Sequence, residues 1–240
     1  MTKKILIYGG YGGIGSTTAR LLHERGYELH LVGRDDNKLK SIANELKAGY
    51  TVGDVTDESL FADVAKESGD TLDGLVYAVG TINLGSLRRL TKDDFWYDIQ
   101  VNAVGAALAI KASLHALKKS QGPASVVLFS SVAALQGFNL HASIGMAKGA
   151  VSGLTLALGA ELAPHVRVNA IAPSLTSTPL AEKFFSNEKR ASALAKMHAL
   201  ERLGAPEDIA ELTTFLLSPK SSWVTGQIIS VDGGRSSLRN

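Results

Sequence analysis

The stretch ILIYGGYGGIGSTTARLL, residues 5–22, decides the fold. Four apolar residues, 5–8, have the length of a short buried strand, and after the glycines Ile14, Ala19 and Leu22 return at helical spacing. Gly10, Gly12 and Gly15 satisfy G-x-G-x-x-G, and Gly9, Gly13 and Gly15 satisfy G-x-x-x-G-x-G. Glycines here permit a tight turn and positive φ. They also let backbone N–H groups approach a pyrophosphate at the helix N-terminus. A bare glycine pattern is weak, but one placed between a strand and a helix is strong.

Outward from this turn, short apolar runs alternate with longer amphipathic segments to the end of the chain. Strand-like runs cover 5–8, 28–32, 74–79, 125–129, 166–171 and 227–231, with a weaker one at 50–52. Helical patterns cover about 13–25, 36–47, 57–67, 91–119, 143–162 and 206–217. Continuously apolar strands alternating with helices predict a doubly wound parallel sheet covered on both faces, an α/β architecture. With no repeat, low-complexity tract or linker, 1–240 reads as one domain. The least regular stretch, 174–200, follows a predicted strand end, where open α/β sheets bind ligands, and is a candidate substrate lid.

Composition bounds the function. Hydrophobic residues at 45% and 24 glycines fit a filled core and exclude disorder. A net charge of +2 gives no footprint for nucleic acid or an anionic membrane. The absence of cysteine excludes disulfides, thiolate catalysis and cysteine-held metals, and His115, His165 and His198 lack metal-ligand spacing, so no metal is expected. No run approaches the roughly 18 apolar residues of a membrane span, and Lys3 and Lys4 precede too short an apolar run for a signal peptide. A cytoplasmic protein is the expectation. The 143–162 helix is apolar or small around nearly its whole circumference, which predicts a homo-oligomer, dimer or tetramer, built along it unless the C-terminal segment covers that face.

The second strand ends Leu31-Val32-Gly33-Arg34. An acidic residue at this tip would hold a ribose 2′-hydroxyl, whereas an arginine accommodates a 2′-phosphate. Gly33 leaves the acidic position empty and Arg34 follows, favouring NADP(H) over NAD(H). Asp35 and Asp36 argue the other way, although both also suit a helix start.

Motif by motif, the chain resembles the short-chain dehydrogenase/reductase family over nearly its full length. The Gly9-x3-Gly13-Ile14-Gly15 turn matches that family's cofactor loop. Asp54, with Val55, resembles its adenine-contacting segment, and Ala78 and Gly80 in YAVG loosely match its N-N-A-G. Asn102 resembles the structural and proton-relay asparagine, and Ser131 the catalytic serine. Pro173, Thr176 and Thr178 resemble the nicotinamide-contacting segment. The resemblance implies a seven-stranded parallel Rossmann sheet and hydride transfer from a nicotinamide cofactor to a small substrate, which Phe184 and Phe185 in the candidate lid would make apolar.

It also exposes a departure. The family's Tyr-x-x-x-Lys is represented by Lys148, expected to hold the nicotinamide ribose, but Ile144 stands where the tyrosine would be. Isoleucine cannot donate a proton. His141 lies seven residues before Lys148 in HASIGMAK, the tyrosine-to-lysine separation of enoyl-acyl-carrier-protein reductases. Its imidazole could polarise a carbonyl or protonate an enolate. Two substrate chemistries stay open, an activated C=C and a carbonyl, beside a third reading of non-catalytic NADP(H) binding. Tyr8 and Tyr77, at strand ends, read as core residues before cofactor platforms.

Overall fold

In β1 (Lys4–Tyr8) the side chains alternate between two cores. The computed structural model describes residues 2–185 and 187–238. Ile5 and Ile7 pack with Ala19 and Leu22 of α1 (Gly13–Glu24), Leu39 and Ala43 of α2 (Asp36–Leu46), and Leu216 of α9 (Pro206–Leu217). Leu6 and Tyr8 face the opposite way. They join Val64 of α3 (Ser59–Ser68), Ala109 and Ile110 of α5 (Gly105–Lys118), and Val151 of α7 (Ala142–Leu162). A strand apolar on both sides, with helices above and below, is what a parallel α/β sheet requires.

The remaining strands are β2 (Glu28–Gly33), β3 (Gly49–Val52), β4 (Gly74–Tyr77), β5 (Ala124–Phe129), β6 (Val166–Pro173) and β7 (Ile228–Val231). They form one seven-stranded parallel sheet in the order β3-β2-β1-β4-β5-β6-β7. Strand order reverses between β1 and β4, so a crevice opens at the C-terminal ends of those strands, the usual ligand position in such a fold.

Several expected boundaries shift. The 74–79 run leaves the ladder at Tyr77, and the 166–171 run continues to Pro173. The long 91–119 pattern is three pieces: α4 (Lys92–Ile99), a π-helical turn at Gln100–Val104, and α5. The Tyr77 hydroxyl explains part of this. It donates to the Val101 carbonyl at 2.7 Å and lies so close to Gly105 that a Cβ there would approach it to 2.2 Å. A single-turn π segment inside an α-helix is a recurrent mark of functional sites, and this one carries Asn102. Tyr8 and Tyr77 are both buried, with ring centroids 5.6 Å apart, so the core reading of both holds.

The 174–200 stretch is more regular than its sequence predicted. It holds a 3-10 turn at Glu182–Phe184 and α8 (Glu188–Ala195), capped by the Asn187 side chain; Ser186 lies outside the described residues. A further short helix, α6 (Val132–Leu135), follows β5 and was not expected either. On α7, Ala147, Val151, Thr155 and Gly159 face inward. Met146 and Leu156 are exposed on the opposite side, and Cβ atoms on Gly149 or Gly153 would meet nothing within 4 Å. The C-terminal segment covers α7 near Gly159, where Gly226 packs closely, and leaves the Gly149–Gly153 stretch open. Among the described residues no helix is long and apolar enough to cross a membrane.

Candidate active site

The first turn is held by contacts that only glycine permits. Gly9 has φ +80°, and a Cβ there would lie 2.7 Å from the Ala78 carbonyl oxygen. A Cβ on Gly15 would sit 2.1 Å from the Gly9 carbonyl oxygen, which already accepts from the Gly12 N–H at 2.9 Å. The turn is therefore closed by backbone against backbone at the N-terminus of α1, the geometry that leaves helix N–H groups for a phosphate. Thr178, after β6, packs over this turn, and its Cγ2 would be 2.8 Å from a Cβ on Gly13.

At the tip of β2 the structure gives a reason for the missing acid. The Tyr11 ring lies on Gly33, where a Cβ would come within 2.5 Å of it, so Gly33 cannot carry a carboxylate without displacing the ring. Arg34 projects beyond it with a largely exposed guanidinium, 3.3 Å from the Asp54 carboxylate. Partial burial raises the Asp54 pKa, but hydrogen bonds from the Thr56 N–H and hydroxyl and from Arg34 outweigh it and hold the carboxyl below its usual value. Asp35 caps α2 by accepting from the Lys38 N–H, which accounts for one of the two competing acids. Val55 is buried behind Asp54 in the core beside β2.

Beside this end lies a cavity of about 440 Å³, within the usual range for small-molecule sites. Ser131, His141, Ile144 and Lys148 all line it, as do Ile14, Ala78, Gly80, Pro173, Thr176 and Thr178. Gly9, Gly13, Gly15, Arg34, Asp54 and Val55 are not part of its wall. The expected set thus divides into residues that line the cavity and residues of the first turn and of the β2 and β3 ends that do not. Asn102 stands behind the wall, its amide donating at 2.8 Å to both the Thr81 hydroxyl and the Asp98 carbonyl.

Lys148 is buried, and its Nζ donates to the Phe129 carbonyl at 2.9 Å. Burial lowers its pKa from the ordinary lysine value to about 8, with the buried Asp98 pulling the other way. Two Nζ hydrogens remain for a ligand. The Asn102 Oδ1 is buried without a hydrogen-bond partner, and a Cβ on Gly80 would lie 3.0 Å from that oxygen and 3.2 Å from the Lys148 Nζ. An orphaned acceptor and an ammonium with two unused hydrogens meet beside a glycine that leaves them room. Together with the closed glycine turn, they fit a nicotinamide dinucleotide with its ribose at Lys148 and its diphosphate at α1.

Ser131 caps α6 by accepting from the Ala133 N–H, which leaves its hydroxyl hydrogen available to the cavity. Ile144 is almost wholly buried in the wall, one helical turn before Lys148. His141 is the N-cap residue of α7, and its Nδ1 lies 2.6 Å from the Asn139 carbonyl. A carbonyl only accepts, so Nδ1 carries a hydrogen, and in the neutral ring Nε2 is an acceptor. His141 can then give up a proton from Nε2 only as imidazolium.

Several cavity residues escaped the sequence reading. His198, considered from the sequence only for its lack of metal-ligand spacing, is buried against the cavity with Nε2 2.8 Å from the Ser174 hydroxyl. Thr81 links Asn102 to the buried Asp98 carboxylate by a 2.6 Å bond, and Ser143 reaches the same carboxylate at 2.5 Å. Arg190 and Arg235 line the cavity from α8 and from the segment after β7. Only tertiary contact joins these groups; Thr81 and Asp98 are separated by 17 residues and have no motif between them. Among the described residues no cluster of three His, Cys, Asp or Glu could hold a metal ion.

Comparison with known proteins agrees with this geometry. A family described as enoyl-(acyl carrier protein) reductase matches residues 10–236. A tropinone reductase homologue of Arabidopsis thaliana is 34% identical over 95% of this chain and 78% of its own length. A 3-oxoacyl-[acyl-carrier-protein] reductase of Rickettsia felis is 30% identical over 97% and 96%. A short-chain dehydrogenase/reductase structure from Mycobacterium ulcerans superposes with a TM-score of 0.92 at 30% identity, covering 99% of this chain and 91% of that one. ElxO with NADP bound gives 0.91 at 29% identity over 99% and 100%, and a tyrosine-to-phenylalanine variant of ElxO with NADPH bound gives the same values. With the glycine turn, the parallel sheet and the Ser131–Lys148 chamber in one place, the chain belongs to the short-chain dehydrogenase/reductase family of oxidoreductases.

Proposed function

We propose that this protein is an NADP(H)-dependent reductase of an activated C=C bond, with His141 as proton donor where the family motif would have a phenol. The observation that carries this reading is Ile144, an apolar side chain buried in the cavity wall between Ser131 and Lys148. When bound, the cofactor supplies hydride from its nicotinamide. Lys148 holds the ribose, and the Asn102 Oδ1 behind it accepts a hydrogen bond, direct or through water. Ser131 donates its free hydrogen to the substrate oxygen. His141 as imidazolium gives a proton from Nε2 to that side of the substrate.

Helix geometry favours the double bond over a carbonyl. His141 precedes Ile144 by three residues and therefore stands about 4.5 Å of helix rise away, just beyond the N-terminal end of α7. In carbonyl reduction the oxygen that collects charge is bonded to the carbon receiving hydride. In conjugate reduction it lies further along the conjugated chain, so a more distant acid suits it. The relatives' names include both enoyl and 3-oxoacyl reductases, so the test must separate the two chemistries.

For the cofactor, the NADP(H) preference rests on Arg34 standing exposed beyond a β2 tip that Tyr11 keeps bare. Its ion pair with Asp54 is long and at the surface, worth at most about 1 kcal/mol, so a 2′-phosphate can take the guanidinium over. The 174–200 segment acts as the lid: Leu180, Phe184, Leu194 and Met197 wall the cavity and fit an apolar substrate body. The open Met146–Leu156 side of α7 is the expected homo-oligomer face, and light scattering on a Leu156→Glu variant checks it.

The experiment is titration with NADPH and NADH, then turnover on ketones and on enoyl thioesters. The expected result is tighter binding of NADPH, lost on Arg34→Glu, and turnover of enoyl thioesters that falls at least about a hundredfold in His141→Ala. Turnover of ketones alone refutes the double-bond reading. The other reading, a non-catalytic NADP(H)-binding protein, is favoured by the same Ile144; binding of NADPH with turnover on neither panel would establish it.

A further inference from the structure

Charge in the cavity is one-sided. Among the described residues its wall contains the cationic or basic side chains His141, Lys148, Arg190, His198 and Arg235 and not one aspartate or glutamate. Lys148 has its role beneath the nicotinamide ribose, and His198 is turned to Ser174. That leaves two guanidinium groups without a function in the reaction described above.

Neither is neutralised within the described residues. Elsewhere on the molecule Arg20, Arg25, Arg34 and Arg202 each face a carboxylate at 2.6–3.3 Å. Arg190 and Arg235 face none. Arg235 is only partly exposed, and its guanidinium lies 5.3 Å from the centroid of the Phe138 ring, whose other neighbour is His141, 5.4 Å between ring centroids. Contact with an aromatic face holds the guanidinium in place but does not cancel its charge. Its planar fork of N–H donors remains free for an anion, and carboxylate and phosphate match that fork.

The site of these cations also matters. They come from α8 and from the segment after β7, not from the β1–α1 turn or the β2 tip, where the cofactor's phosphates would rest. The walls near them are apolar: Phe138, Leu194 and Met197 belong to the same cavity. A ligand that satisfies both halves has an apolar body and an anionic group.

We infer that the substrate of this cavity is an apolar molecule bearing a carboxylate or phosphate group, recognised by Arg235 and Arg190 at the end of the chamber remote from the cofactor phosphates. This rests on the cavity being the substrate chamber of the reductase, but not on turnover. Free acids and acyl thioesters on a phosphate-bearing carrier share the chemistry, and two matched pairs of probes separate them.

Calorimetric titration of the protein saturated with NADP+ compares octanoate with methyl octanoate, and octanoyl-CoA with octanoyl-N-acetylcysteamine. The anionic member of at least one pair is expected to bind about tenfold or more tighter, in keeping with charge-assisted hydrogen bonds. That preference should vanish in the Arg190→Gln/Arg235→Gln double variant and persist in Arg235→Lys, while binding of the neutral member stays unchanged and reports an intact cavity. Preference in the first pair identifies a free carboxylate, and preference in the second a phosphate-bearing carrier. Equal affinity within both pairs, or a preference that survives the double substitution, overturns the proposal. Cofactor saturation is measured in the same experiment, so failure to bind NADP+ would count against the reductase reading, and the same pairs run without cofactor would still decide the anion site.

Discussion

Replacing Lys148 by methionine should make the cofactor-free protein more stable while weakening its hold on the cofactor. The lysine is buried and donates to the Phe129 carbonyl, and among the described residues no carboxylate touches it. Burial has moved its pKa from 10.5 to about 8. That lowering corresponds to about 3 kcal/mol of folding stability lost by keeping the ammonium in place. Because the folded pKa lies below the unfolded one, this loss is complete below pH 8, shrinks between pH 8 and 10.5, and is absent above. Methionine has similar length and no charge. It forfeits the bond to Phe129, about 1 kcal/mol, so the net expectation near pH 7 is about 2 kcal/mol of stabilisation. For a chain of this size that is a rise of about 4–8 °C in Tm. Thermal unfolding of both proteins at pH 7 and pH 10.5 is the assay. The gain should disappear at the higher pH, and NADPH affinity of the variant at pH 7 should fall at least about tenfold. A variant less stable than the parent at pH 7, or a stability difference that does not change with pH, would refute the view that Lys148 is kept for its ligand at the expense of the fold.

Two other outcomes follow from packing and burial. Gly15→Ala puts a Cβ 2.1 Å from the Gly9 carbonyl oxygen, so the turn must open and the Gly12-to-Gly9 hydrogen bond break; NADPH affinity should drop at least about a hundredfold, with a stability loss of about 1–3 kcal/mol seen in urea unfolding. His30 is buried against Thr51, and burial, reinforced by the Lys4 charge and opposed by Glu67, lowers its pKa to about 4. The unfolded chain takes up this proton near pH 6.5, so stability should fall by up to about 1.4 kcal/mol per pH unit between pH 6.5 and 4, and the slope should flatten in His30→Gln.

The order of elements was legible because it depends on local information. Apolar runs of strand length, helical periodicity and the glycine turn each act over a few residues, and together they specify a parallel sheet with two covered faces. The π turn at Gln100–Val104 was not legible, because it answers to the Tyr77 hydroxyl, 24 residues away in sequence from the carbonyl it binds. The regular structure at 182–195 was missed since α8 is a short helix with no buried residue to give it a period.

The sequence alone determined which groups the chain has to offer: a glycine turn between a strand and a helix, an arginine at the second strand tip, and Ser131, Lys148 and Asn102 in family order around a position that cannot donate a proton. Only the tertiary structure decided the character of the chamber. It turned His141 so that Nδ1 is tied to a carbonyl, brought Ser174 and His198 together, and gathered five basic side chains around one cavity with no acid among its described residues. Backbone preference acts between neighbours in sequence, whereas charge and proton supply at a site are sums over groups that only folding brings within a few ångströms of one another.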